Sequence, residues 1–194
     1  MALASENATK YNTYAAAVKR SSGNSNIMMF LPSRTKVAKE PSSIEWVSNS
    51  SSTDYKVEIL NLYEEKVYSE VTTNKEIEID FSNIQLQPGQ MYRIAVSEVE
   101  NKNNVSGEIA LQVPTRSELA QFETELEMLK NEVPVNSAIA DMVFATYFEE
   151  KGLYLQAIPY YQRAIEKELN IVEYQNAYKV FLYKIGLDSF LENN

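Results

Sequence analysis

The chain has 194 residues, a formal net charge of −9 and a hydrophobic fraction of 44%, enough for one domain or two small ones. It has no histidine and no cysteine, which excludes Ser-His-Asp and Cys-His catalysis, disulfides, and imidazole or thiolate metal sites. With 18 Lys and Arg against 27 Asp and Glu and no basic patch, duplex nucleic acid and an anionic membrane surface are not its expected partners.

The start, MALASENATK, has no charged flank leading into an apolar run, so no signal peptide is visible. No apolar stretch approaches the roughly 20 residues that span a bilayer. Residues 1–26 read as a leader, either a short helix capped by Ser5 with Tyr11, Tyr14, Ala15 and Val18 on one side, or a disordered segment. SSGNSN closes it as a link. Asn7, Asn49 and Asn104 fit the glycosylation acceptor pattern, which arises often by chance in an Asn/Ser-rich chain.

Over 27–114 the apolar period is two. SSIEWVS puts Ile44 and Trp46 on one face, and DYKVEILNLY puts Tyr55, Val57 and Ile59 on one face with Leu60 and Leu62 opposite. KVYSEV, EIEIDF, MYRIAVSEV and SGEIALQV continue the alternation, and either IMMFL or RTKVA supplies one more strand. Turn residues between the runs predict a seven-stranded antiparallel β-sandwich with the lone tryptophan bridging its two sheets. The run LQPGQMYRIAV, with Leu86, Pro88, Gly89 and Tyr92, resembles the Leu-x-Pro-Gly…Tyr signature of fibronectin type III modules, and Trp46 and Tyr55 fall at that family's strand-B tryptophan and strand-C tyrosine. The resemblance implies that the hydroxyl of Tyr92 closes the corner before its strand. No Arg-Gly-Asp occurs, so that family's adhesive motif is absent.

After VPTRSE the period becomes 3.6, and 115–194 reads as a domain of about four helices. Thr115 and Glu118 form a predicted capping box for a helix over 117–131, which Pro134 ends by disfavouring helical geometry at Val133. Further helices are predicted over 137–151, 154–169 and 172–185. Gly152 is assigned to the turn between two of them, and Pro159 to the early part of the next, where its missing amide costs less than at mid-helix. The series Ala145, Gly152, Tyr154, Ala157, Tyr161, Ala164 resembles one tetratricopeptide repeat. A step of 34 residues carries Gly152 to Gly186, Leu153 to Leu187 and Phe148 to Leu182, although Ala145 then meets Lys179. One and a half repeats make no long groove, so the helices are expected to pack on each other with 117–131 as a lid. The fold class is therefore α+β in two parts, a fibronectin-like sandwich followed by tetratricopeptide-like hairpins.

Glu76, Glu78 and Asp80 share one face of EIEID, but alternation alone produces such a solvated face. Calcium binding, glycan binding or carboxylate hydrolysis would be the functional alternative there. Tyr147, Tyr160, Tyr174 and Tyr178 are the candidate partner-binding residues on a concave helical side, since aromatic anchors make effective hot spots. No catalytic, cofactor-binding or metal residue is assigned, and no oligomeric state. The order of parts, with Pro41, Ile44, Trp46, Tyr55, Val57, Glu58 and Ile59, resembles bacterial envelope proteins in which a β-sandwich precedes a few helices. That resemblance implies a non-enzymatic interaction or scaffold role in the periplasm or envelope, with a signal peptide already removed.

Overall fold

The computed structural model describes residues 26–134 and 136–191. The predicted leader helix and Asn7 lie outside them. Eight strands come first: β1 (Ile27–Met29), β2 (Arg34–Lys36), β3 (Pro41–Ser48), β4 (Tyr55–Asn61), β5 (Lys66–Thr72), β6 (Glu76–Asp80), β7 (Met91–Glu98) and β8 (Ile109–Gln112). They form a three-stranded sheet, β1-β3-β6, facing a five-stranded sheet, β2-β8-β7-β4-β5.

This corrects the expected seven antiparallel strands on two points. IMMFL and RTKVA are both strands, and they lie in different sheets. The chain pairs Met29 with Trp46, then crosses to pair Arg34 with Ala110 in parallel. Pro32 sits in the crossing, where it has no amide to continue the β1 ladder.

Alternation fills the space between the sheets as predicted. Tyr55, Val57 and Ile59 of β4 and Tyr92, Ile94 and Val96 of β7 point inward, while Leu62 stands in solvent. Trp46 is 1% exposed and meets the Tyr55 ring edge-on at 5.6 Å. The Tyr92 hydroxyl accepts the Gln87 amide at 2.9 Å, and Gly89, at φ +80°, donates its amide to Val113. The corner implied by the resemblance is therefore built. Asn104 is buried and donates to the Glu98 carboxylate at 2.6 Å, so its acceptor triplet faces inward.

Four helices follow: α1 (Arg116–Glu132), α2 (Ala138–Lys151), α3 (Tyr154–Lys167) and α4 (Val172–Lys184), then a 3-10 turn, Asp188–Phe190. The capping box of α1 is formed in both directions. The Thr115 hydroxyl accepts from the Glu118 amide at 3.2 Å, and the Glu118 carboxylate accepts from the Thr115 amide at 2.8 Å. The helix stops at Val133, extended at φ −106°, as the following proline requires. Gly152 ends α2 at φ +73°. Its amide donates to Glu149 O and the Leu153 amide to Phe148 O, at 3.0 and 2.9 Å. Thirty-four residues on, Gly186 at φ +74° donates to Tyr183 O and Leu187 to Leu182 O, at 3.1 and 2.8 Å. The same helix-ending geometry is thus used twice, and Leu153 and Leu187 are both buried beneath it.

The helices do not pack only on one another. The Gly152 carbonyl accepts the Lys36 amide at 2.8 Å and the Thr35 hydroxyl accepts the Tyr154 amide at 3.1 Å, so the α2–α3 turn covers the free edge of β2. Gln156 of α3 donates to Ser42 of β3 at 2.9 Å, and Leu155 enters the core of the sandwich. In return Phe30 and Val47, on the outer face of the small sheet, join Ala145, Phe148, Leu153, Ala157, Tyr161, Phe181, Leu182 and Leu187 in a second core. The Phe30 ring meets Phe190 at 4.8 Å. Each buried valine, leucine or phenylalanine there contributes about 1.5–3 kcal/mol by leaving water.

Candidate interaction face

Because α3 is pressed onto the sheet, α2 and α4 are left on the side away from it. α2 exposes Ile139 at 54%, and α4 exposes Val180 at 54% and Tyr183 at 72%. The 34-residue step places Thr146 with Val180, Glu149 with Tyr183 and Glu150 with Lys184. One ion pair joins the two helices: Glu149 accepts from Lys184 at 2.8 Å and from the Tyr161 hydroxyl at 2.6 Å. Beside this face a groove of about 370 Å³ runs between α1 and α2, lined by Leu129, Ile139, Met142, Val143, Tyr147 and Glu150.

Three of the four sequence-predicted tyrosines are half-buried and one is buried. Tyr147 is 9% exposed, with its hydroxyl donating to Glu125 at 3.0 Å and Lys151 lying 5.4 Å over its ring. This corrects the expectation that Tyr147 is open to a partner on a concave helical side: α1 covers the side of α2 that it occupies. Tyr160 lies against Phe144 and Phe148, with the Arg163 guanidinium 4.0 Å above its ring. Tyr178 stacks on Tyr161 at 5.6 Å, and Tyr174 is half-buried on the same helix. Burial first, then the neighbouring carboxylates Glu125 and Glu149, pushes the phenols of Tyr147 and Tyr161 well above their ordinary value. These hydroxyls are hydrogen-bond donors at neutral pH and not bases. Ala145, Ala157 and Ala164 are fully buried where α2 and α3 approach, and Tyr161 is 3% exposed, all as core.

Ile139 and Val180 were not singled out from the sequence as partner contacts, whereas Tyr183 was among the tyrosines read there as a candidate peptide-binding surface. The available signal was the 34-residue step, which puts Val180 at the outward position that Thr146 occupies on α2.

The strand carboxylates do not converge. Glu76 and Glu78 stand in solvent on β6, and Asp80 is taken up by Ser82 and Asn83 at 2.6–2.9 Å. Among the described residues no group of three acidic side chains could hold a metal ion. On the outer face of the large sheet a cavity of about 490 Å³ is rimmed by charges that neutralise one another. There Glu58 pairs with Lys56 and Lys66, and Arg93 with Glu64 and Glu108. Among the described residues no helix is long and apolar enough to cross a membrane.

No family model matches the chain, and no curated protein does. Among solved structures the chain is similar to the FN5 domain of Drosophila Lar, at 16% identity over 43% of this chain and 98% of that one, with a TM-score of 0.32. It is similar to the fn3 domain of human collagen alpha-1(XX) chain, at 20% identity over 49% and 93%, with a TM-score of 0.31. The same shares and identity hold for the 6th domain of human fibronectin type III domain containing protein 3, with a TM-score of 0.32. All three are fibronectin type III domains.

Proposed function

We propose that this chain is a non-enzymatic interaction protein whose outer helical face, formed by α2 and α4 with the groove beside α1, binds a segment of a protein partner. The observation that carries the reading is the exposure of Ile139 on α2 and of Val180 and Tyr183 on α4, the helices that the docking of α3 on the sheet leaves outermost. The helical part acts as a short tetratricopeptide-like unit: its twice-used 34-residue helix ending and the buried alanines between α2 and α3 support that reading. The place we propose for it is the bacterial cell envelope, on the resemblance of its Ile44-x-Trp46 and Tyr55-x-Val57 strands. The hydrolytic alternative has less behind it, because among the described residues Glu76 and Glu78 of β6 stand in solvent and Asp80 is taken up by Ser82 and Asn83.

The test is affinity purification from the native host with the wild type and with Ile139→Ser/Tyr183→Ala. The variant is expected to lose the partner while its melting temperature holds, since exposed substitutions change stability by about 0.5 kcal/mol or less. Recovery of the same partner at wild-type yield retires the face.

A further inference from the structure

α1 is held differently from the helices beside it. Of its 17 residues only Phe122 is buried, whereas α2 and α3, with 14 residues each, bury six apiece. Its main polar ties are two ion pairs. Glu118 pairs with Lys36 of β2 and Glu125 with Lys151 of α2, each at 2.7 Å and each partly open to water, where solvent and salt weaken such pairs. The features that make α1 a helix are its own. The Thr115/Glu118 capping box and the hydrogen bond from Gln121 to Glu125 lie within the segment, so it keeps them wherever it goes.

The seat beneath α1 fits one pattern of side chains. Glu118, Phe122 and Glu125 stand on a single stripe of the helix, at helical spacing. The ammonium groups of Lys36 and Lys151 each lie 5.7 Å from the centre of the Phe122 ring. The Tyr147 hydroxyl donates to the Glu125 carboxylate at 3.0 Å and reaches the Phe122 carbonyl at 3.4 Å.

The two lysines thus serve twice, attracting the ring through its face and the flanking acids through charge-assisted hydrogen bonds. What they select is an aromatic side chain with a carboxylate one turn before it and another one turn after. Without α1, both ammonium groups would line a cationic cleft in a chain whose net charge is −9. An acidic segment is the complement of such a cleft.

We propose that the seat formed by Lys36, Tyr147 and Lys151 is a docking site for an acidic helical segment of a partner protein, and that α1 is its removable in-chain occupant. The partner segment carries an aromatic residue with one carboxylate four residues before it and another three residues after. This site lies on the side of α2 turned toward α1 and does not depend on the exposure of Ile139, Val180 and Tyr183. Because the partner competes with α1, its apparent affinity is set by the fraction of molecules whose seat is open.

The probe is a fluorescently labelled synthetic peptide with the sequence of residues 115–134. It is titrated into the full chain in two forms, the wild type and Glu118→Gln/Phe122→Ser/Glu125→Gln. Glutamine at 118 keeps the capping box, while the three contacts with the seat are removed. The released variant is expected to stay folded in the sandwich and in α2 and α3, and to bind the peptide about tenfold more tightly than the wild type does. Adding Lys36→Gln/Lys151→Gln should weaken that binding about tenfold, and a peptide carrying Phe122→Ser should not bind. In the wild type, the amides of α1 should exchange about a hundredfold faster than those of α2 and α3. No binding to the released variant overturns the proposal, as does equal binding to the two forms or binding that survives loss of both lysines. A released variant that no longer folds also overturns it, since a removable occupant must leave a folded seat behind. So do wild-type α1 amides that exchange only with global unfolding.

Discussion

The two parts of this molecule reach stability by different routes. The sandwich closes on itself: two sheets enclose Trp46, Tyr55, Ile59, Ile94 and Leu111, and among the described residues Leu155 alone joins that core from the helices. The helical part does not close. α2 and α3 form a complete hairpin, but α4 has no following long helix among the described residues to cover it. Phe30 and Val47, on the outer face of the small sheet, complete the core that holds Leu182 and Phe190. A short helical segment can thus be held in place when a neighbouring sheet completes its core.

That contrast can be broken first at its centre. Trp46→Ala should cost about 3–5 kcal/mol and destabilise both parts in one denaturant transition, because the helices rest on the sheet it supports. Two separate transitions would show that the helices hold independently. Phe30→Ala sharpens the same point at the seam. It should cost about 3 kcal/mol, with amide exchange rising first in α4 while β4 and β7 stay protected. Uniform loss of protection would place Phe30 in the sandwich core instead.

The two turn glycines give a smaller contrast. Both need a positive φ, so Gly152→Ala and Gly186→Ala should each cost about 1–2 kcal/mol. Neither position would clash with an added Cβ, but the Gly152 carbonyl also accepts the Lys36 amide and so fastens its turn to β2. Gly152→Ala should therefore be the costlier, by urea unfolding, and equal costs would show that the fastening to β2 contributes little.

The smallest expected effect is on acid stability. The Lys36 ammonium, with the Thr115 cap, holds the Glu118 carboxyl at about 2, below its ordinary 4.5. The depressed value means that its stabilising contribution is present above 4.5 and is lost as pH falls from 4.5 toward 2. Glu118→Gln should flatten the dependence of the melting temperature on pH within that window. An unchanged slope would remove the link between sheet and lid.

Much of the fold was legible because it is written in local period and turn chemistry. Alternation gave the inward faces of β3, β4 and β7, the Thr115/Glu118 box gave the start of α1, and Pro134 gave its end. The Leu86–Pro88–Gly89–Tyr92 run gave the corner, and the 34-residue step gave Gly152 and Gly186. The parallel pairing of β2 was not legible, since a three-residue strand carries no mark of its neighbour's direction. The fate of Tyr147 was hidden for a related reason: aromatic residues suit both a core and a contact surface, and what decides between them is the helix that lies alongside.

The sequence by itself determined where strands give way to helices, which residues face into the sandwich and where each helix stops, because these depend on interactions within a few residues. Only the tertiary structure decided that α3 lies on the small sheet, that Phe30 and Val47 complete the helical core, and that Ile139, Val180 and Tyr183 remain outside. Those outcomes depend on contacts between segments more than a hundred residues apart, and an apolar side chain in a sequence has no preference among the apolar surfaces that could bury it.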